Sequence, residues 1–133
     1  MIPIENFIDR LALVGVPFII AIASVEELMK YFAVRIMTFK SRFLDEPIDY
    51  AVYLITGALG FAAAENSLFL IQPLLDSNMG LTLLTGNMRF LGATVLHTIS
   101  AAIVGIFMGL AYYKSKAVRF IHFIIGMATA IAL

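Results

Sequence analysis

Seven side chains attract attention because they are polar and stand in or beside stretches that are otherwise apolar. Glu26, Glu27 and Lys30 follow the run 11–25, Glu65 and Asn66 interrupt 51–75, and His97 and Ser100 lie inside 90–113. An ionisable group in hydrocarbon costs at least about 2–3 kcal/mol, so each needs a compensating role. Together they could do acid–base chemistry where water is scarce. A carboxylate desolvated among apolar helices can serve as general base or acid, and a neutral imidazole can orient water, donate to an oxyanion or bind a metal. Glu26 or Glu27 is the expected base, Glu65 would share a proton or a metal with it, and His97 would position the water or the oxyanion. Lys30, four residues after Glu26, would hold one acid ionised, with Asn66 and Ser100 in support. A catalytic zinc takes three protein ligands and a water, a number that Glu26 or Glu27, Glu65 and His97 can reach. Metal-free acid–base chemistry and chemistry with a divalent ion such as zinc both stay open. Ser100 is only three residues from His97 on the same helix, and nothing completes a serine triad.

The elements that must carry these groups follow from composition. Of 133 residues, 62% are hydrophobic and 14% charged, and the mean hydropathy is +0.98. A soluble domain carries roughly a quarter charged residues, so this chain cannot clothe a core in polar surface. Nine Lys and Arg balance nine Asp and Glu, which points to no nucleic acid and no strongly charged partner. Without cysteine there is no disulfide, thiolate site or cysteine nucleophile. The runs show no period-2 alternation, so helices are expected, and a span of about 20 residues limits the chain to three or four. The expectation is an all-α, polytopic transmembrane bundle of about four helices in one domain, 1–133, with spans near 11–38, 50–75, 89–113 and 118–133. Glu5, Asp9 and Arg10 ahead of the first span argue against a signal peptide, whose start would be basic. Asp45 or Glu46 followed by Pro47 suits the start of the second helix.

Lys30, Arg35, Lys40, Arg42, Lys114, Lys116 and Arg119 fall on one side of the four spans, and only Arg10 and Arg89 on the other. Basic residues favour the cytoplasm, so the N-terminus is expected outside and the 40s loop inside. At about 1.5 Å per residue, Glu65 and His97 share a level on the outer side of the midplane, with Glu26 some 10 Å lower. Ala93, His97, Ala101, Gly105 and Gly109 recur every four residues, a small-residue stripe that lets membrane helices approach closely. That stripe should pack against the second helix near Glu65. His122, close behind Arg119, reads as interfacial.

The elements Glu26-Glu27-Leu28-Met29-Lys30-Tyr31, Gly60-Phe61-Ala62-Ala63-Ala64-Glu65-Asn66, and Arg89 with His97-Thr98-Ile99-Ser100 and Gly105 resemble the PrsW family of intramembrane proteases. That family is distantly related to the CAAX- and bacteriocin-processing membrane endopeptidases. The resemblance runs from about residue 20 to 133. It implies cleavage of a membrane-anchored protein, an anti-sigma factor in the best-known member, in a bacterial cytoplasmic membrane. By position, Glu26 and Glu27 match the paired acids, Glu65 the acid of the second motif and His97 the histidine of the third. The family's closing HxxxN-like element is not matched, since Gly126 stands four residues after His122. A fragment of a larger protease core or a minimal homologue is therefore expected. The rivals are a small proton-coupled transporter using one buried Glu, which leaves the Glu pair and His97 unexplained, and a non-catalytic membrane subunit, which explains none of them. Oligomeric state is not legible.

Overall fold

The computed structural model describes residues 4–39, 41–77 and 79–133, with side chains from residue 15 onward. Lys40, part of the basic count, and Asn78, part of the expected outer loop, lie outside the described residues. The described chain is helical with short connections: α1 Ile4–Thr38, α2 Asp49–Leu75, α3 Met79–Arg89, α4 Val95–Leu110 and α5 Lys116–Ile131. A single π-helical turn, Phe90–Thr94, joins α3 to α4, so that Met79–Leu110 is one rod of 32 residues. This rod and α2, with 27 residues, are each long and apolar enough to cross a membrane.

Several boundaries differ from expectation for local reasons. The helix expected from residue 89 begins at Met79, because Thr82, Thr85, Asn87 and two glycines hide its first turns from a hydropathy reading. At the start of α2 the acid in the first turn is Asp49, not Asp45 or Glu46. The Asp49 carboxylate reaches back to accept from the backbone N–H groups of Asp45 and Glu46, at 3.0 and 2.8 Å. Pro47 therefore sits in the turn before the helix. Helix α2 closes through Ser77 at φ 54°, the left-handed conformation common one residue past a helix end.

The interior is built from small residues and the exterior from large apolar ones. Ala51, Ala58, Ala62, Ala101 and Ala111 are buried, while Leu68, Phe69, Leu91, Phe120 and Ile36 are exposed. That inversion suits a surface solvated by lipid, where helices gain by close backbone packing rather than by hiding leucines. The tightest seam is α2 against α4, antiparallel. At Gly105 a Cβ would fall 2.7 Å from the Ala51 nitrogen and 3.0 Å from its Cβ, and Gly109 lies directly on the Pro47 carbonyl. The expected stripe on α4 thus packs on α2, as the four-residue recurrence required. Helix α5 covers the other side of α4, where Gly126 meets Val104 and Phe107. Helix α1 lies on α2 and α5 through Tyr31 and Val34.

Candidate active site

Helix α1 presents Glu27, Lys30, Tyr31 and Val34 to the interior, the i, i+3, i+4, i+7 positions of one helical face. Consecutive helical residues point about 100° apart, which sets Glu26 at the edge of that face, half-buried. It lies beside Ala21, Ile22 and Val25, with no polar partner among the described residues. Lys30 pairs with Glu27, three residues away, and not with Glu26 as the four-residue spacing suggested. Glu26 makes no polar contact with the other candidate residues, whereas Glu27 is held in the interior by a cation that is itself buried.

The Lys30 ammonium is a hub. It donates to Glu27 Oε1, to Ser100 Oγ at 3.1 Å and to His97 Nδ1 at 3.3 Å. The Ser100 hydroxyl in turn donates to Glu27 Oε1 at 2.8 Å, with the His97 carbonyl oxygen 3.1 Å away. An ammonium has no lone pair, so His97 Nδ1 is the acceptor and the ring proton resides on Nε2. Nε2 then donates to Glu65 Oε2 across 3.0 Å. The same carboxylate oxygen receives Arg89 Nη2 at 2.9 Å. Arg89 also donates through Nε to Asn66 Oδ1 at 3.0 Å, and Asn66 Nδ2 donates to Thr94 Oγ1 at 3.0 Å. The Arg89 guanidinium carbon stands over Phe69, 3.6 Å from the ring centre. Phe61 closes the other side, its ring centre 5.4 Å from that of His97.

One unbroken chain of polar contacts therefore runs Glu27–Lys30–His97–Glu65–Arg89–Asn66–Thr94 across α1, α2 and the α3–α4 rod. Two carboxylates face an ammonium and a guanidinium, so the set is neutral as a whole, the condition under which charges persist in an apolar interior. The depth offset between the paired acids and Glu65 is real but bridged. Glu27 meets Ser100, one turn along α4 from His97, and the Lys30 side chain spans the remaining step. Glu27, Lys30, His97 and Ser100 are buried, while the Glu65 side chain keeps 23% exposure and its Oε1 has no partner among the described residues.

Sequence reasoning used Arg89 as an orientation marker and a motif residue, but not as part of the site. The signal was present: Glu65 lacks a basic neighbour on α2, and Arg89 lacks an acid on its own rod. The π-helical turn inserts an extra residue between Arg89 and His97, which brings both to Glu65. Such turns recur at functional sites. His122, the other histidine, donates through Nδ1 to the Val118 carbonyl at 2.9 Å, a bond within its own helix.

Comparison with known proteins adds a family. The model of the PrsW family intramembrane metalloprotease matches residues 3–133. Protease PrsW of Geobacillus kaustophilus (strain HTA426) is 30% identical over 98 residues, 74% of this chain and 40% of the relative. The chain thus spans about two fifths of the length of the curated relative it matches. No solved structure matches it.

The family description implies a metal, and the donor geometry can be tested against one. Among the described residues no three His, Asp or Glu side chains converge on a point, whereas a catalytic zinc takes three such ligands. Glu65 Oε2 already receives Arg89 and His97, and His97 Nδ1 receives Lys30. The places a metal cation would take beside these atoms are held by a guanidinium and an ammonium. The described residues do not fit a metal, and no step below passes through one.

Proposed function

The chain belongs to the PrsW family of intramembrane metalloproteases, and from that membership we propose that it hydrolyses a peptide bond of a membrane-anchored protein within the bilayer. The observation that carries the proposal is the contact chain from Glu27 to Arg89. It joins three helices in an interior that has no structural need for five ionisable groups. Glu65 is the base in this reading, in preference to Glu27. Its free Oε1 and partial exposure leave room for a water, whereas Glu27 is buried and its Oε1 is taken up by Lys30 and Ser100. Glu65 removes a proton from the water as the oxygen attacks the scissile carbonyl carbon. The same proton passes to the leaving amide nitrogen as the C–N bond breaks. Arg89 uses two of its five N–H donors on Glu65 and Asn66, and the others can face the oxyanion. His97 Nε2–H fixes the carboxylate's rotation, and the Glu27–Lys30 pair fixes the His97 tautomer.

In the orientation set by the basic residues, the N-terminus lies outside and the substrate bond is met a few ångströms to the outer side of the midplane. The resemblance points to an anti-sigma-factor-like substrate and a bacterial cytoplasmic membrane. The test is reconstitution into liposomes with a membrane-anchored substrate in water enriched in ¹⁸O, with products read by mass spectrometry. Cleavage inside the substrate's apolar segment, with one ¹⁸O in the new carboxyl terminus, is expected. A cut confined to the exposed segments, or products free of label, would overturn the proposal.

A further inference from the structure

A second cluster lies at the opposite end of the bundle from Arg89 and takes no part in the site above. The C-terminal end of α1, the first turn of α2, the last turns of α4 and the start of α5 enclose a cavity of about 490 Å³. Arg35 and Arg119 line it together with Tyr31, Phe39, Tyr50 and Phe123. The aromatic walls are mutually packed: Tyr31 on Phe123 with centroids 4.5 Å apart, and Phe39 edge-on to Tyr50 at 5.1 Å. Arg35 stands 5.9 Å from the Tyr31 ring centre and Arg119 5.7 Å from that of Tyr112.

The charge of this cavity is uncompensated. Neither arginine has a carboxylate partner among the described residues, and no acid lines the walls. The nearest acid in sequence to Tyr50, Asp49, is engaged with the backbone amides of Asp45 and Glu46. Arg119 donates to the Tyr112 carbonyl, which leaves further N–H groups for a ligand, and the Tyr50 hydroxyl has no hydrogen-bond partner among the described residues. Two guanidiniums with planar donor forks and a phenol match the acceptors of a phosphate. The surface beside the cavity indicates where that phosphate comes from. Phe120 on the cavity's rim, and Ile124 one turn further along the same face of α5, are exposed and apolar. A free phosphate has no use for such a surface, whereas the acyl chains of a phospholipid would lie along it.

We propose that this cavity is a binding site for the headgroup of an anionic phospholipid of the inner leaflet, its phosphate held by Arg35, Arg119 and Tyr50. The lipid would bind one per chain and clamp α1 to α5 at the cytoplasmic end, away from the Glu65–His97 site.

The test uses the whole chain in an uncharged detergent, titrated with short-chain phosphatidylglycerol, phosphatidylcholine or inorganic phosphate. Native mass spectrometry counts bound lipid, and thermal unfolding reports stabilisation. Saturable binding of one phosphatidylglycerol is expected, about tenfold or more tighter than phosphatidylcholine, whose phosphate carries the same charge but whose quaternary ammonium would be brought beside the two guanidiniums. Arg35→Gln with Arg119→Gln should weaken phosphatidylglycerol about tenfold or more. Arg35→Lys with Arg119→Lys should lose less, and Lys114→Gln with Lys116→Gln, outside the cavity, less than about threefold. Circular dichroism without lipid checks that the double Gln variant is folded; if it is not, the Lys pair and the two lipids decide. Equal binding of the two lipids, or an equal loss in the Lys114/Lys116 variant, would overturn the site. Stabilisation by inorganic phosphate as large as that by phosphatidylglycerol would overturn the lipid assignment.

Discussion

Replacing Lys30 by Met tests whether the buried network is organised as described. The Lys30 ammonium serves three acceptors at once, Glu27 Oε1, Ser100 Oγ and His97 Nδ1, and both it and Glu27 are almost completely buried. Its loss leaves Glu27 with one donor, Ser100, in an apolar surrounding. Removing one partner of a buried pair costs about 3–5 kcal/mol, because the remaining charge is uncompensated. At about 1.4 kcal/mol per tenfold, the unfolding equilibrium should rise by roughly two to three and a half orders of magnitude. Replacing both partners, Glu27→Met with Lys30→Met, removes the stranded charge and should return the protein to within about 1 kcal/mol of the parent. The assay is equilibrium unfolding in mixed micelles by denaturing detergent, followed by circular dichroism, with the four proteins forming a double-mutant cycle. A Lys30→Met protein within about 1 kcal/mol of the parent, or two single effects that simply add in the double variant, would refute the buried hub. Activity should separate from stability here, since the double variant regains its fold but leaves the His97 tautomer unfixed.

Gly105→Leu should destabilise the protein by about 1–3 kcal/mol or more and reduce cleavage, because even a Cβ would meet the Ala51 backbone. Gly60→Ala, with nothing within 4 Å, is the matched control and should be near neutral; equal thermal stability of the two variants in detergent would mean that the α2–α4 seam is misplaced. As the chain has no cysteine, Ser77→Cys in intact cells should label with an impermeant thiol reagent and Ser41→Cys should not. Labelling of Ser41→Cys would reverse the orientation.

Much of this arrangement was readable from spacing, and the misses have physical causes. A uniform rise of about 1.5 Å per residue put Glu65 and His97 at one depth, and their side chains meet at 3.0 Å. The four-residue recurrence of Ala93, His97, Ala101, Gly105 and Gly109 located the face that packs on α2. Glu26 and Glu27 were inseparable because adjacent acids share every feature of depth and composition. Only the direction of the helix face distinguishes them, and Lys30 is compatible with either at i+4 or i+3. Arg89 escaped notice as a site residue for a different reason. Hydropathy began the third span there, and the π-helical turn that follows shifts the phase of the helix in a way no regular period anticipates. The end of α1, the start of α2 and the start of α5 lie far apart in sequence, so the cavity between Arg35 and Arg119 becomes visible only when they are brought together.

The most direct test of the central claim is the cleavage rate of Glu65→Gln beside that of Glu26→Gln, in the same membranes and at equal protein levels. Gln keeps the size of the side chain and removes its capacity to take a proton, and a general base contributes about 10²–10⁴-fold. The account predicts that Glu65→Gln loses at least about a hundredfold while Glu26→Gln stays within about threefold of the parent. A Glu65→Gln protein that cleaves at more than about a tenth of the parental rate, or a Glu26→Gln protein that does not cleave, would contradict it.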